Sequence, residues 1–201
     1  MAIPDTRYRW PARLLHWSMA ALLLATIPAG IVMLQDGLDR TTQNALFIFH
    51  KNVGVLLFIL ILVRLAYRWR HRPAPLPDDL PGWQRTAARL SHGALYAFLL
   101  VMPIAGYVRV KAGGFPIETL DALGVPSLVP RSDALAEAAK TVHATGGLAV
   151  AGLVVLHISA AAYHGLVRRD GVFSRMWPPF GGRSGSGSGP PGLTSDGGSG
   201  S

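Results

Sequence analysis

The chain has 201 residues, half of them hydrophobic, with 19 lysines and arginines against 11 acidic residues and a net charge of +8. It has no cysteine, which excludes disulfides, thiolate zinc sites, iron–sulfur clusters and covalently attached c-type haem. The charges cluster between apolar runs too long and unbroken for a β-barrel, so the basic excess reads as membrane topology and not as a nucleic-acid surface.

Each apolar run reaches the roughly 20 residues that cross a bilayer, and helices satisfy their own backbone there. The expected fold is an all-α transmembrane four-helix bundle. The first span is expected over 11–34: Pro11 suits a first helical turn, and Pro28-Ala29-Gly30 should bend its far end. Its start after several arginines resembles a secretion signal. Its length is that of a full span and no small-x-small cleavage site is evident, so it is read as retained. A polar turn, 35–44, leads to a second span over 45–69. A basic loop carrying Arg68, Arg70, Arg72, Arg85 and Arg89, broken by four prolines, leads to a third span over 88–110, with Pro103 and Gly106 in its outer half.

The connection 111–140 is expected to hold one surface helix, 132–140, capped by Ser132. The fourth span follows over 141–167. The bundle domain is expected over 6–178, and the Gly/Ser/Pro-rich 181–201 as a flexible tail. Basic residues precede span one, separate spans two and three, and follow span four. Both termini are therefore expected in the cytoplasm.

The histidines carry the chemistry. Of seven, only His71 lies away from the spans. Ionisable residues in a bilayer are expensive and mark function by default, although a single histidine at a helix end can be an interfacial residue. Their arrangement is more telling. His143 and His157 are fourteen residues apart, about 21 Å along a helix and within about 40° of one face. One imidazole then lies in the outer half of the membrane and the other in the inner half. His50 is level with His143, and His16 is the natural partner of His157. Bis-histidine ligation suits electron-transfer haem, since both axial positions are filled, and facing helices of a bundle can supply such ligands.

Gly54, Gly146, Gly147 and Ala160 to Ala162 leave room for a macrocycle, but small residues are also common wherever membrane helices pack. His92 and His164 are expected on the cytoplasmic side. His92 could replace His16 as a ligand. Alternatively the two could line a quinone pocket, where imidazole hydrogen-bonds a carbonyl and relays a proton. Simple interfacial histidines are an equal alternative. No carboxylate lies deep in a span, and there is no Gly-rich phosphate loop or His-Glu-x-x-His.

These residues resemble the prokaryotic cytochrome b561 family. The match covers about residues 6–178. It runs through Arg13-Leu14-Leu15-His16-Trp17, then His50-Lys51 with Gly54 and Arg64. It continues through His92, Tyr96, Pro103 and Gly106, then His143, His157, His164, Asp170 and Arg175-Met176. The resemblance implies an inner-membrane, multi-pass protein with two haem b, exchanging electrons with ubiquinone. It implies His16 with His157, and His50 with His143, as axial ligands to the haem irons. Family members include a superoxide oxidase, which passes an electron from superoxide at the outer face to quinone. Lys51, Arg109 and Lys111 would lie near the outer haem and could attract the anion. Three readings therefore stand: superoxide:ubiquinone oxidoreductase, cytochrome b anchor serving a separate dehydrogenase or soluble redox partner, and a structural or transport bundle without haem.

Overall fold

The computed structural model describes residues 7–75 and 80–177. Among them lie five α-helices: α1 (Trp10–Val32), α2 (Arg40–Arg70), α3 (Gly82–Ala112), α4 (Glu118–Ala122) and α5 (Asp133–Ala162). A π-helical turn, Tyr163–Arg168, extends α5, and a 3₁₀ turn, Phe173–Arg175, follows. No strand occurs among the described residues. Four helices are long and apolar enough to cross a membrane. The tail expected over 181–201 lies outside the described residues.

The helix limits follow local chemistry. Pro11 stands in the first turn of α1, where no backbone donor is missed. Asp39 caps α2, its carboxylate accepting from the Thr42 amide at 3.0 Å. Ser132 caps α5, its hydroxyl accepting from the Leu135 amide at 3.3 Å. After α3 the chain turns at Gly113 and Gly114, the latter at φ 78°, a left-handed conformation that favours glycine.

Two expectations about these limits are corrected. At about 1.5 Å per residue the 31 residues of α2 and of α3 reach about 46 Å, well beyond the roughly 30 Å of hydrocarbon. They begin at Arg40 and Gly82 and not at 45 and 88, so His50 and His92 lie about three turns inside them. The separate surface helix over 132–140 does not exist as such. It is the first part of α5, because nothing between Lys140 and Thr141 breaks an alanine-rich run with good helix propensity. The surface helix that does form is α4, five residues long.

Packing is uneven. The α1/α2 hairpin and the α3/α5 hairpin are each closely packed, and α2 against α3 joins them. Met19, Leu57 and Ile61 form the buried core, flanked by Leu22, Phe58, Tyr96 and Leu99 from α1, α2 and α3. No residue of α5 joins that cluster. On α5, Gly146 admits the Met102 side chain so tightly that a Cβ there would lie 2.5 Å from its sulfur. Gly146 is therefore where α5 packs against the Met102 side chain of α3. Gly54, by contrast, faces open space. Large apolar side chains such as Leu56, Ile59, Ile104, Leu148 and Val155 remain exposed on the bundle's outside, as a lipid-facing surface requires.

Candidate functional site

Five histidines meet between the two hairpins, in two groups. Toward the α4 end, His50 of α2 faces His143 of α5, with ring centres 5.9 Å apart and planes at 79°. Toward the terminal end, His16 of α1 faces His157 of α5 at 6.1 Å and 75°. His92 of α3 also reaches His157, at 5.4 Å and 65°. The fourteen residues between His143 and His157 are continuous α-helix, which separates the groups by about 21 Å.

The α4-end pair is held in detail. His50 Nδ1 meets the Thr26 carbonyl of α1 at 3.1 Å, and His143 Nδ1 meets the Met102 carbonyl of α3 at 3.0 Å. Each ring packs over a glycine one turn further along that helix. A Cβ on Gly30 would lie 2.8 Å from His50 Cε1, and one on Gly106 would lie 3.1 Å from His143 Cε1. A carbonyl on Nδ1 fixes that nitrogen as the donor and leaves Nε2 with a free lone pair. Beside His50 the Thr26 hydroxyl is buried without a hydrogen-bond partner among the described residues.

The terminal-end group is organised by a charge. Arg64 of α2 donates through Nε to the Tyr96 hydroxyl at 3.1 Å and through Nη1 to the Ala12 carbonyl at 2.9 Å. Its charge acts on His16, His92 and His157 together. No ring hydrogen bond holds His16, His92 or His157 among the described residues. Below them the segment after α5 folds back as a floor. Trp17 Nε1 donates to the Met176 carbonyl at 2.9 Å, Trp17 and Trp177 meet edge to face, and the Tyr8 amide donates to the Arg175 carbonyl at 3.0 Å. Arg175 is buried there and donates to the Ala74 carbonyl.

His164 makes no ring contact with another histidine among the described residues. Its Nδ1 is 2.6 Å from Asp170 Oδ2, in a carboxylate that also accepts from the Val172 amide at 3.2 Å. Burial raises the Asp170 carboxyl, but the His164 and Val172 hydrogen bonds outweigh it and hold the group below the ordinary carboxylate value.

The three basic residues expected to attract an anion differ. Lys51 pairs with Glu118 at 2.6 Å and donates to the Pro116 carbonyl at 2.7 Å. Lys111 pairs with Asp121. Both are engaged in docking α4, which Asn52 completes by hydrogen bonds to Glu118 and Thr119. Arg109 makes no ion pair among the described residues, and its charge acts on both His50 and His143.

These donors fit haem iron. A metal–imidazole bond is about 2 Å, so two imidazoles opposed across one metal have ring centres about 6 Å apart. Both facing pairs meet that spacing. The Nδ1 contacts of His50 and His143 supply the outer hydrogen bonds that ligating imidazoles require. No group of three or more His, Asp or Glu side chains that could hold a metal ion occurs among the described residues.

Four of the features that build this site, Gly30, Thr26, Arg64 and Asp170, have no place in it that the sequence alone reveals. Gly30 and Thr26 are invisible as a ring seat because nothing in sequence says which face of α1 meets His50. Arg64 carries a legible signal, an arginine within an apolar run, but its three histidine neighbours come from three other helices. Asp170 is a loop carboxylate until the chain turns back under α5.

Comparison with known proteins identifies the family. The family model described as prokaryotic cytochrome b561 matches residues 7–179. Cytochrome b561 homolog 2 of Escherichia coli (strain K12) is 30% identical over 175 residues, covering 85% of this chain and 90% of that protein. Cytochrome b561 homolog 1 of the same organism is 27% identical over 166 residues, covering 82% of this chain and 93% of its own.

Proposed function

The chain belongs to the prokaryotic cytochrome b561 family, a multi-pass bacterial inner-membrane cytochrome of electron transfer, and from that premise we propose that it is a di-haem superoxide:ubiquinone oxidoreductase. The observation that carries the reading is the presence of two facing histidine pairs at two depths, 5.9 Å and 6.1 Å between ring centres. His50 with His143 would hold one haem b, and His16 with His157 the other. Bis-imidazole haem supplies one-electron transfer without an open position for substrate. Two superoxide anions give up one electron each and leave as dioxygen. One ubiquinone takes both electrons and two protons and leaves as quinol.

The protein's own residues divide the remaining work. With both termini in the cytoplasm, α4 and Arg109 face the periplasm. Arg109, free of a carboxylate, raises the local concentration of a small anion beside the outer pair. Lys51 and Lys111, neutralised by Glu118 and Asp121, hold α4 in place and contribute little steering. At the cytoplasmic face, Asp170 orients His164 through Nδ1. When the ring is protonated, Nε2–H can then donate to a quinone carbonyl and deliver its proton. His92 is held in reserve as a ring beside His157.

The test is anaerobic optical spectroscopy of the purified protein while superoxide is generated, with and without ubiquinone. Haem reduction by superoxide and reoxidation by quinone are expected. Absence of reduction by superoxide, with co-purification of a larger redox subunit, would favour an anchor role. Colourless protein would overturn both. In Arg109→Gln the superoxide-driven rate should fall and lose its salt dependence, whereas Lys51→Gln should change it much less.

A further inference from the structure

The seats under His50 and His143 are built alike on different helices. Thr26 and Gly30 on α1, and Met102 and Gly106 on α3, each present a carbonyl and, one turn later, a residue without a side chain. The carbonyl fixes each ring's rotation through Nδ1, at 3.1 Å and 3.0 Å. The missing Cβ is what lets each ring lie against the helix, since Cε1 would stand 2.8 Å and 3.1 Å from it. At Gly30 the intruding contact is the imidazole itself, with Cε1 at 2.8 Å and Nδ1 at 3.0 Å, and the Nδ1 hydrogen bond to the Thr26 carbonyl keeps the ring from simply swinging away. The two planes so fixed stand at 79°. The His16–His157 pair has a similar angle, 75°, but no carbonyl holds either ring.

We infer that Gly30 and Gly106 are positioning residues that lock the axial imidazoles of the outer haem near perpendicular and thereby set its electronic structure and potential. The inference rests on His50 and His143 being the ligands of that haem. Perpendicular imidazole planes leave the iron d orbitals that they mix with nearly degenerate, giving a strongly anisotropic low-spin signal with a large gmax. Parallel planes split those orbitals and give a rhombic signal. Axial-ligand geometry and the hydrogen bonds behind it also tune reduction potential. The inner pair, held by no such seat, is free to turn toward whatever angle its haem prefers.

The experiment is electron paramagnetic resonance and redox titration of the oxidised holoprotein in detergent, with His50→Ala, Gly30→Ala, Gly106→Ala and Gly152→Ala beside the unmodified chain. Gly152 faces open space on α5, away from the histidines, and its variant should match the unmodified protein. The signal missing from His50→Ala should be of the large-gmax type. Gly30→Ala and Gly106→Ala should each move that signal to smaller gmax, or to high spin, and shift one midpoint potential while leaving the other haem unchanged. Unaltered gmax and potential in both glycine variants, with both haems bound, would overturn the seats while sparing the ligand assignment. Full haem content in His50→Ala would overturn the ligand assignment and the seats together. Should a glycine variant fail to fold, the signal removed by His50→Ala decides alone: a rhombic one overturns the inference.

Discussion

The two histidine groups solve one problem with different means. At the α4 end, two rings are each gripped by a backbone carbonyl and a glycine, and the surrounding charges are largely neutralised within the α4 clasp. At the terminal end, three rings share one arginine, none has a hydrogen bond of its own, and His157 has two neighbours at 6.1 Å and 5.4 Å. Backbone-held rings have one available geometry. Rings ordered only by packing and a shared charge can exchange partners. The first arrangement suits a fixed redox centre, and the second suits a centre next to exchangeable substrate and moving protons.

The largest expected effect tests whether there are two centres at all. His143→Ala and His157→Ala should each lose about one of the two haems, measured as haem per protein, with different halves of the optical spectrum missing. The terminal-end trio then allows a sharper cut. His16→Ala should lose the same haem as His157→Ala, while His92→Ala retains both. Loss of haem in His92→Ala with retention in His16→Ala would reverse the pairing.

Next in size is Arg64→Met. It removes two charge-assisted hydrogen bonds that tie α1, α2 and α3, at about 2 kcal/mol, and should lower the melting temperature in detergent. It should also shift the terminal-end haem's potential and leave the α4-end haem's unchanged. Equal shifts in both would break the distinction drawn between the groups. Smaller again is Gly146→Ala, which pushes a methyl group against Met102. Methionine is flexible enough to yield, so about 1 kcal/mol is expected, read as a small loss in melting temperature.

The smallest effect concerns the clasp. Burial raises the Glu118 carboxyl, but hydrogen bonds from Lys51 and Asn52 outweigh it and hold the group below its ordinary value of 4.5. The Lys111 hydrogen bond likewise holds Asp121 below 3.8. A depressed folded value means that the stabilisation is complete above the ordinary value and disappears as pH falls through the folded one. Amide exchange in α4, corrected for its intrinsic pH dependence, should therefore stay constant from neutrality down to pH 4.5 and rise only below it. In Lys51→Gln exchange should already be faster at neutral pH, and its further rise below pH 4.5 should be smaller.

Much of this architecture was legible in the residues. The four apolar runs, the order of the histidines and the fourteen-residue interval on α5 all follow from helical periodicity and the bilayer's thickness, which act locally. The helix limits were less legible. Hydropathy marks the lipid-embedded stretch, whereas capping by Asp39 and Ser132 decides where the helices begin, one or two turns outside it. For the same reason residues 132–140 merged with α5, while α4 forms from five residues whose stability comes from Lys51, Asn52 and Lys111 on other helices. The small residues divided too: Gly54 faces open space, whereas Gly146 packs against Met102.

The sequence by itself therefore determined a membrane bundle with imidazoles at two depths, because span length and the helical repeat depend only on neighbours along the chain. Only the tertiary structure decided which carbonyl meets which imidazole, and why Lys51 and Lys111 are each spent on a carboxylate while Arg109 has none among the described residues. Those outcomes depend on the rotation of each helix about its axis. That rotation is fixed by contacts such as Gly30 against His50 and Gly146 against Met102, between residues far apart in sequence.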